Sequence, residues 1–126
     1  MFRRRAPPEQ IVHKSIVAHL KARGAPDVVF LHPANGGARS PVEGAILKSM
    51  GVVPGAPDLL LFHRARNGDA RAFALELKAE DGRLSEAQAE MLRRLAGAGV
   101  ITAVCHGIDC ALKQLEDWEL LRGHVS

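Results

Sequence analysis

The stretch PDLLLFHRARNGDARAFALELK, residues 57–78, decides how this chain is read. Asp58 opens the apolar run Leu59 to Phe62, and a second run, Ala72 to Lys78, follows Arg66-Asn67-Gly68-Asp69. Asn-Gly between two such runs is the strongest short-range hairpin signal, so two antiparallel strands are predicted. Along the second strand the side chains alternate, which sends Phe73, Leu75 and Leu77 to one face and Glu76 with Lys78 to the other. Taken alone, an acid and a lysine on one face of an antiparallel sheet are a solvated ion pair. Register decides whether Asp58 joins them. A two-residue loop, Asn67-Gly68, pairs Arg66 with Asp69, sets Asp58 opposite Leu77 and turns the acid to the wrong face. A three-residue loop, Arg66-Asn67-Gly68 with Gly68 left-handed, pairs Ala65 with Asp69 and brings Asp58 directly opposite Glu76.

Like charges side by side on a strand pair repel, so a fold with no use for them should avoid the arrangement unless a cation lies between. Mg2+ suits the position, with Mn2+ expected to substitute. It prefers hard oxygen ligands and keeps several waters, so Asp58, Glu76, the backbone carbonyl of Leu77 and a phosphate oxygen would satisfy it. Such an ion polarises a phosphate and lowers the pKa of a bound water, while Lys78 orients that water or stabilises charge developing on phosphorus. These residues point to metal-assisted phosphodiester hydrolysis.

Upstream of the hairpin, Ile11, Val12, Ile16, Val17 and Leu20 recur at helical spacing until Gly24 and Pro26 end the pattern. Val28 to Leu31 reads as a short buried strand closed by His32 and Pro33. Pro41 to Met50 reads as a helix capped by Ser40, with Pro41 at its first position. Two prolines and Gly55 make the lead-in to Asp58 irregular. Downstream, Ser85 with Gln88 forms a capping-box pattern that opens a helix with the stripe Ala87, Met91, Leu92, Leu95 and Ala96. Val100 to Cys105 reads as another buried strand. Cys110 to Arg122 reads as a closing helix with Leu112, Leu115, Leu120 and Leu121 inward. The order α-β-α-β-β-α-β-α makes the chain α/β, a mixed four-stranded sheet flanked by helices.

A length of 126 residues fits one domain, read as residues 9–126 behind a basic tail of residues 1–8. With 47% hydrophobic and 25% charged residues, neither wholesale disorder nor a fibrous repeat is plausible. The net charge of +3 is unevenly placed, since residues 1–24 hold six basic residues and only Glu9 as an acid. A basic front suits a phosphate-bearing partner, and it equally suits a plain solvated surface. Cys105 and Cys110, with only His106 nearby, are too few ligands for a closed structural zinc site and read as free thiols. Arg3 to Arg5 resemble the start of a signal peptide, but Pro7, Pro8, Glu9 and Gln10 stand where its apolar core belongs. No run approaches a membrane span, so the chain reads as cytoplasmic with no membrane partner; no small-molecule cofactor is expected either. The six histidines show no metal-ligand spacing and are expected on the surface or satisfied in the core. Trp118 reads as core or a dimer contact rather than a stacking platform.

Pro57-Asp58 followed one hairpin later by Glu76-Leu77-Lys78, with a Ser/Gln-headed helix behind, resemble the PD-(D/E)xK nuclease signature. The Gly/Pro-rich run 51–58, the Asn35-Gly36-Gly37 loop and Ser85 to Gln88 resemble its VRR-NUC branch, the virus-type replication-repair nucleases, with a likeness running from about Glu9 to Val104. The resemblance implies a restriction-endonuclease-like core, metal binding by Asp58 and Glu76, a catalytic lysine at Lys78, an active-site glutamine at Gln88, and an acid from the first helix, Glu9, as a further ligand. Two of these have plainer readings: an acid in a first helical turn stabilises the helix dipole, and Gln88 completes a cap. The resemblance also implies a DNA endonuclease acting as a homodimer on branched or flapped DNA, such as a Holliday junction, in bacterial or phage replication, repair or recombination. In the loop 32–40, Asn35, Gly37, Arg39 and Ser40 are candidate DNA-backbone contacts at a helix start, against the reading of an ordinary connection. Glu43 reads as a helix-surface acid. Two other classes stay open: a non-catalytic nucleic-acid-binding module of the same fold, and a protein-interaction domain whose melting temperature ignores Mg2+ and Mn2+.

Overall fold

All eight predicted elements form. In a computed structural model of the chain, which describes residues 7–33 and 40–123, the order is α1 (Glu9–Arg23), β1 (Val29–Leu31), α2 (Pro41–Ser49), β2 (Leu59–Arg64), β3 (Ala70–Lys78), α3 (Glu86–Gly97), β4 (Ile101–His106) and α4 (Ile108–Asp117). The strands make one mixed sheet in the order β1-β2-β3-β4. β1 with β2 and β2 with β3 are antiparallel, and β4 returns parallel to β3 after the α3 crossover.

The alternation read in β3 separates two layers. Phe73, Leu75 and Leu77, with Leu59 and Leu61 of β2 and Cys105 of β4, meet Val12, Ile16 and Leu20 of α1 and Ala111 and Leu115 of α4 in one continuous core. Each large side chain fully buried there contributes about 1.5–3 kcal/mol. The opposite face of β3, carrying Ala74, Glu76 and Lys78, lies under α3, where Leu92 is buried. Trp118 packs against Phe73 with ring centroids 4.8 Å apart, so it belongs to the core.

Four local expectations are corrected. The strand expected to be buried at Val28 to Leu31 is a three-residue edge strand, with Val29 and Leu31 exposed and Phe30 turned towards the core. Its apolar composition serves one face, because only β2 pairs with it. β4 is likewise an edge strand, with Ile101 exposed and Cys105 buried. In α3 the inward face is Gln88, Met91, Leu92 and Leu95, whereas Ala87 and Ala96 are exposed, because the capping box orients Gln88 onto β3. The last helix starts earlier and stops at Asp117. Glu119 takes a left-handed φ of 64°, and the chain then runs extended beside α1's end, where Ala25 N–H donates to Leu120 O at 2.8 Å. Leu120 still reaches the core, by this turn rather than by helical phase.

α2 is capped as expected, the Ser40 hydroxyl accepting from Glu43 N–H at 3.1 Å. It buries none of its side chains, and Val42, Ile46 and Met50 stand exposed.

Candidate active site

The hairpin adopts the three-residue loop. Ala65 N–H donates to Asp69 O at 2.7 Å, Gly68 N–H donates to Ala65 O at 2.9 Å, and Gly68 has a left-handed φ of 95° that glycine adopts without penalty. β2 then pairs with β3 in a register running from Arg64↔Ala70 to Leu59↔Leu75, and one step further lies Asp58 across from Glu76. Asp58, held just before β2, turns its Oδ2 to accept from Leu77 N–H at 2.7 Å. In a strand a residue's N–H and C=O point to the same edge, so the Leu77 carbonyl faces the Asp58 side as well.

Gln88 ties three groups together. Its Oε1 accepts from Ser85 N–H at 2.9 Å and from Lys78 Nζ at 2.9 Å, while its Nε2 donates to Glu76 Oε1 at 3.1 Å. Capping and site-building, alternatives in the sequence, are made by the same amide. From the first turn of α1, Glu9 Oε1 approaches Lys78 Nζ at 3.7 Å, and Glu76 Oε1 lies 3.9 Å from the same nitrogen. Glu9, Asp58 and Glu76 each offer a carboxylate oxygen within 4.8 Å of the others. The lead-in to Asp58 is clamped onto α3: Gly55 has a φ of 81°, and a Cβ there would run into the Ala87 carbonyl and stand 2.8 Å from Gln88 N.

Over residues 9–109 the sequence matches the model of the VRR-NUC domain. The chain belongs to the VRR-NUC family. A solved structure described as a VRR_NUC domain protein superposes with a TM-score of 0.69 and covers 89% of this chain and 88% of its own; at 24% identity that likeness concerns the fold, a restriction-endonuclease-like core. No curated protein matches the chain. VRR-NUC domains are nuclease domains, and DNA is the substrate class this implies.

The electrostatics of this VRR-NUC site are set by burial. Asp58, Glu76 and Lys78 are 9%, 1% and 5% exposed, and an ion taken from water at such depth costs several kcal/mol unless compensated. Lys78 compensates only part of it. Burial pushes the Glu76 carboxyl up to about 8, with the Asp58 charge and a hydrogen bond between the two carboxyls acting in the same direction, Lys78 opposing, and Glu9 adding a little more. Glu76 Oε2 is buried and finds no donor among the described residues. An orphaned buried oxygen inside three convergent carboxylates fits a divalent cation, which would replace the proton that Glu76 otherwise retains.

Two residues that spacing did not disclose also arrive here. His13, one turn after Glu9 on α1, places Nδ1 at 3.8 Å from Asp58 Oδ1. His32, just after β1, has Nδ1 at 2.6 Å from the Asp58 carbonyl oxygen. Burial holds the His13 imidazole below its ordinary value, Asp58 pulling it up, His32 pushing it down and Glu9 pulling up more weakly. The available signal was the i,i+4 relation of Glu9 and His13, and the Leu31↔Leu60 pairing that brings the end of β1 to the start of β2.

Of the expected DNA-backbone contacts, Asn35, Gly37 and Arg39 lie outside the described residues. Ser40 spends its hydroxyl acceptor on the α2 cap, and Glu43 is exposed on that helix. Both cysteines are free thiols, Cys105 buried and Cys110 exposed. Among the described residues no helix is long and apolar enough to cross a membrane.

Proposed function

We propose that this VRR-NUC protein is a divalent-metal-dependent DNA endonuclease, with Mg2+ as its ion and Mn2+ as a substitute. The observation that carries the reading is the buried, donorless Oε2 of Glu76 amid the carboxylates of Glu9 and Asp58, with Lys78 alongside. Glu9, Asp58, Glu76 and the Leu77 carbonyl would hold the ion. When bound it supplies Lewis acidity, drawing charge from a phosphate oxygen and making water a better nucleophile. Lys78 is held by Gln88 Oε1 at 2.9 Å, so its ammonium is aimed rather than free, and it counters negative charge developing on the phosphorus oxygens. Gln88 is a positioning residue that fixes Lys78 relative to Glu76. Asp58 is fixed by the Leu77 amide, which keeps one carboxylate oxygen in place.

Branched or flapped DNA, a Holliday junction among the forms, is the proposed substrate, with the chain acting as a homodimer. The loop carrying Asn35, Gly37 and Arg39 with Ser40 is assigned to the phosphate backbone. The uncovered Val42, Ile46 and Met50 of α2 support a second copy as partner.

The test is cleavage of labelled duplex, flap and four-way-junction DNA with Mg2+ or Mn2+, using wild type, Asp58→Ala and Lys78→Ala. Metal-dependent cutting that disappears in both variants is expected. Binding without cutting in every metal would instead favour a non-catalytic module of the same fold.

A further inference from the structure

Besides Glu9 and Glu76, two histidines from different elements come up to Asp58. His13 from α1, His32 from the end of β1 and Asp58 from the entry to β2 each offer one ligand atom, all within 4.8 Å of one another. The His13 and His32 rings meet edge to face, with centroids 4.6 Å apart and planes at 86°. The His32 hydrogen bond fixes which nitrogen is available. The Asp58 carbonyl can only accept, so His32 Nδ1 carries the proton and the lone pair of the neutral ring stays on Nε2. A ring N–H given to a backbone carbonyl is the support that metal-binding histidines usually have, since it sets tautomer and ring orientation together. On Asp58 the labour is likewise divided: Oδ2 is engaged by Leu77 N–H, and Oδ1 is the oxygen that faces His13 Nδ1.

We infer that His13, His32 and Asp58 form a second cation subsite, selective for a first-row transition ion such as Zn2+ or Co2+ and sharing Asp58 with the carboxylate group of Glu9 and Glu76. The selectivity follows from the donors. Two imidazoles and one carboxylate suit Zn2+, Co2+ or Ni2+, whereas Mg2+ takes oxygen ligands and belongs with Glu9, Asp58 and Glu76. Asp58 is common to both groups, so ions in the two subsites sense one another through a single carboxylate. The subsite does not depend on phosphodiester cleavage.

The metal-free protein titrated with Zn2+ tests this by calorimetry and by the imidazole nitrogen resonances of its histidines. Wild type is expected to bind Zn2+ with shifts confined to His13 and His32. His13→Gln and His32→Gln should each lower Zn2+ affinity at least about tenfold, since losing even a supporting partner of a ligand costs that much. Glu76→Gln, which leaves both imidazoles in place, should keep the His13 and His32 shifts. Zn2+ affinity unchanged in the His13→Gln/His32→Gln double variant overturns the inference. So does a wild-type titration that moves only other histidines, a readout that needs no variant to fold. Shifts at His13 and His32 without DNA cleavage in any metal would keep the subsite and remove the nuclease reading; cleavage without those shifts would do the reverse.

Discussion

Glu76 keeps its proton up to about 8 in the folded chain, mainly because it is buried and faces Asp58, and gives it up in the ordinary carboxylate range once unfolded. Between those limits the folded state binds more protons than the unfolded one, so Glu76 makes stability fall as pH rises and stop falling above about 8. Melting of the metal-free protein from about pH 5 to about pH 9 should display this slope, and Glu76→Gln should flatten it; an equal slope in both proteins would place the titration elsewhere. A divalent ion displaces that proton, so added Mg2+ or Mn2+ should raise the melting temperature more at about pH 8 than at about pH 6. Gln88 gives the companion prediction. Gln88→Ala removes the side-chain half of the capping box, the bond to Ser85 N–H, together with the hold on Lys78, while the Ser85 hydroxyl keeps its bond to the backbone of residue 88; it should cost about 1 kcal/mol of stability and about 10- to 100-fold in cleavage rate. A variant that melts lower yet cuts at the wild-type rate would leave Gln88 only its capping role.

The hairpin shows how an element can be legible in sequence down to its register. Asn67-Gly68 left two loops open, and the demand that Asp58 meet Glu76 selected the three-residue form that Gly68 adopts. Deleting Asn67 should leave Arg66-Gly68 as a two-residue loop that still closes on the Ala65 and Asp69 pair, so Asp58 stays across from Glu76 and Mn2+ should still raise the melting temperature; thermal melts that coincide with and without Mn2+ would show a slipped register instead. Other elements were legible only in outline. β1 looked buried because its residues are apolar, but strand order, set by long-range pairing, made it an edge. The stripe of α3 was misphased because alanines count as apolar at any position, whereas Gln88, a polar residue, is what faces the sheet. His13 and His32 were invisible because their meeting at Asp58 depends on where α1 lies over the sheet and how β1 pairs, and neither is a local property of sequence.

At the scale of the molecule, two faces of β3 divide the work. One carries the apolar core that stabilises the domain, and the other carries buried charge whose burial cost the first helps to offset. α2 stands outside this scheme, its Val42, Ile46 and Met50 uncovered in the single chain. If a second copy covers them, wild type should sediment as a dimer and Ile46→Asp as a monomer, with the variant's chain still folded by circular dichroism. A concentration-independent wild-type monomer would remove the homodimer from the reading. The clamp at Gly55 reaches furthest through the molecule. What stands against position 55 is main chain, the Ala87 carbonyl and the Gln88 amide, and every amino acid placed at 87 or 88 keeps those atoms. A genetic screen for second-site suppressors of Gly55→Ala therefore has nothing to find at the point of collision, and restored function should come back almost entirely as reversion to glycine.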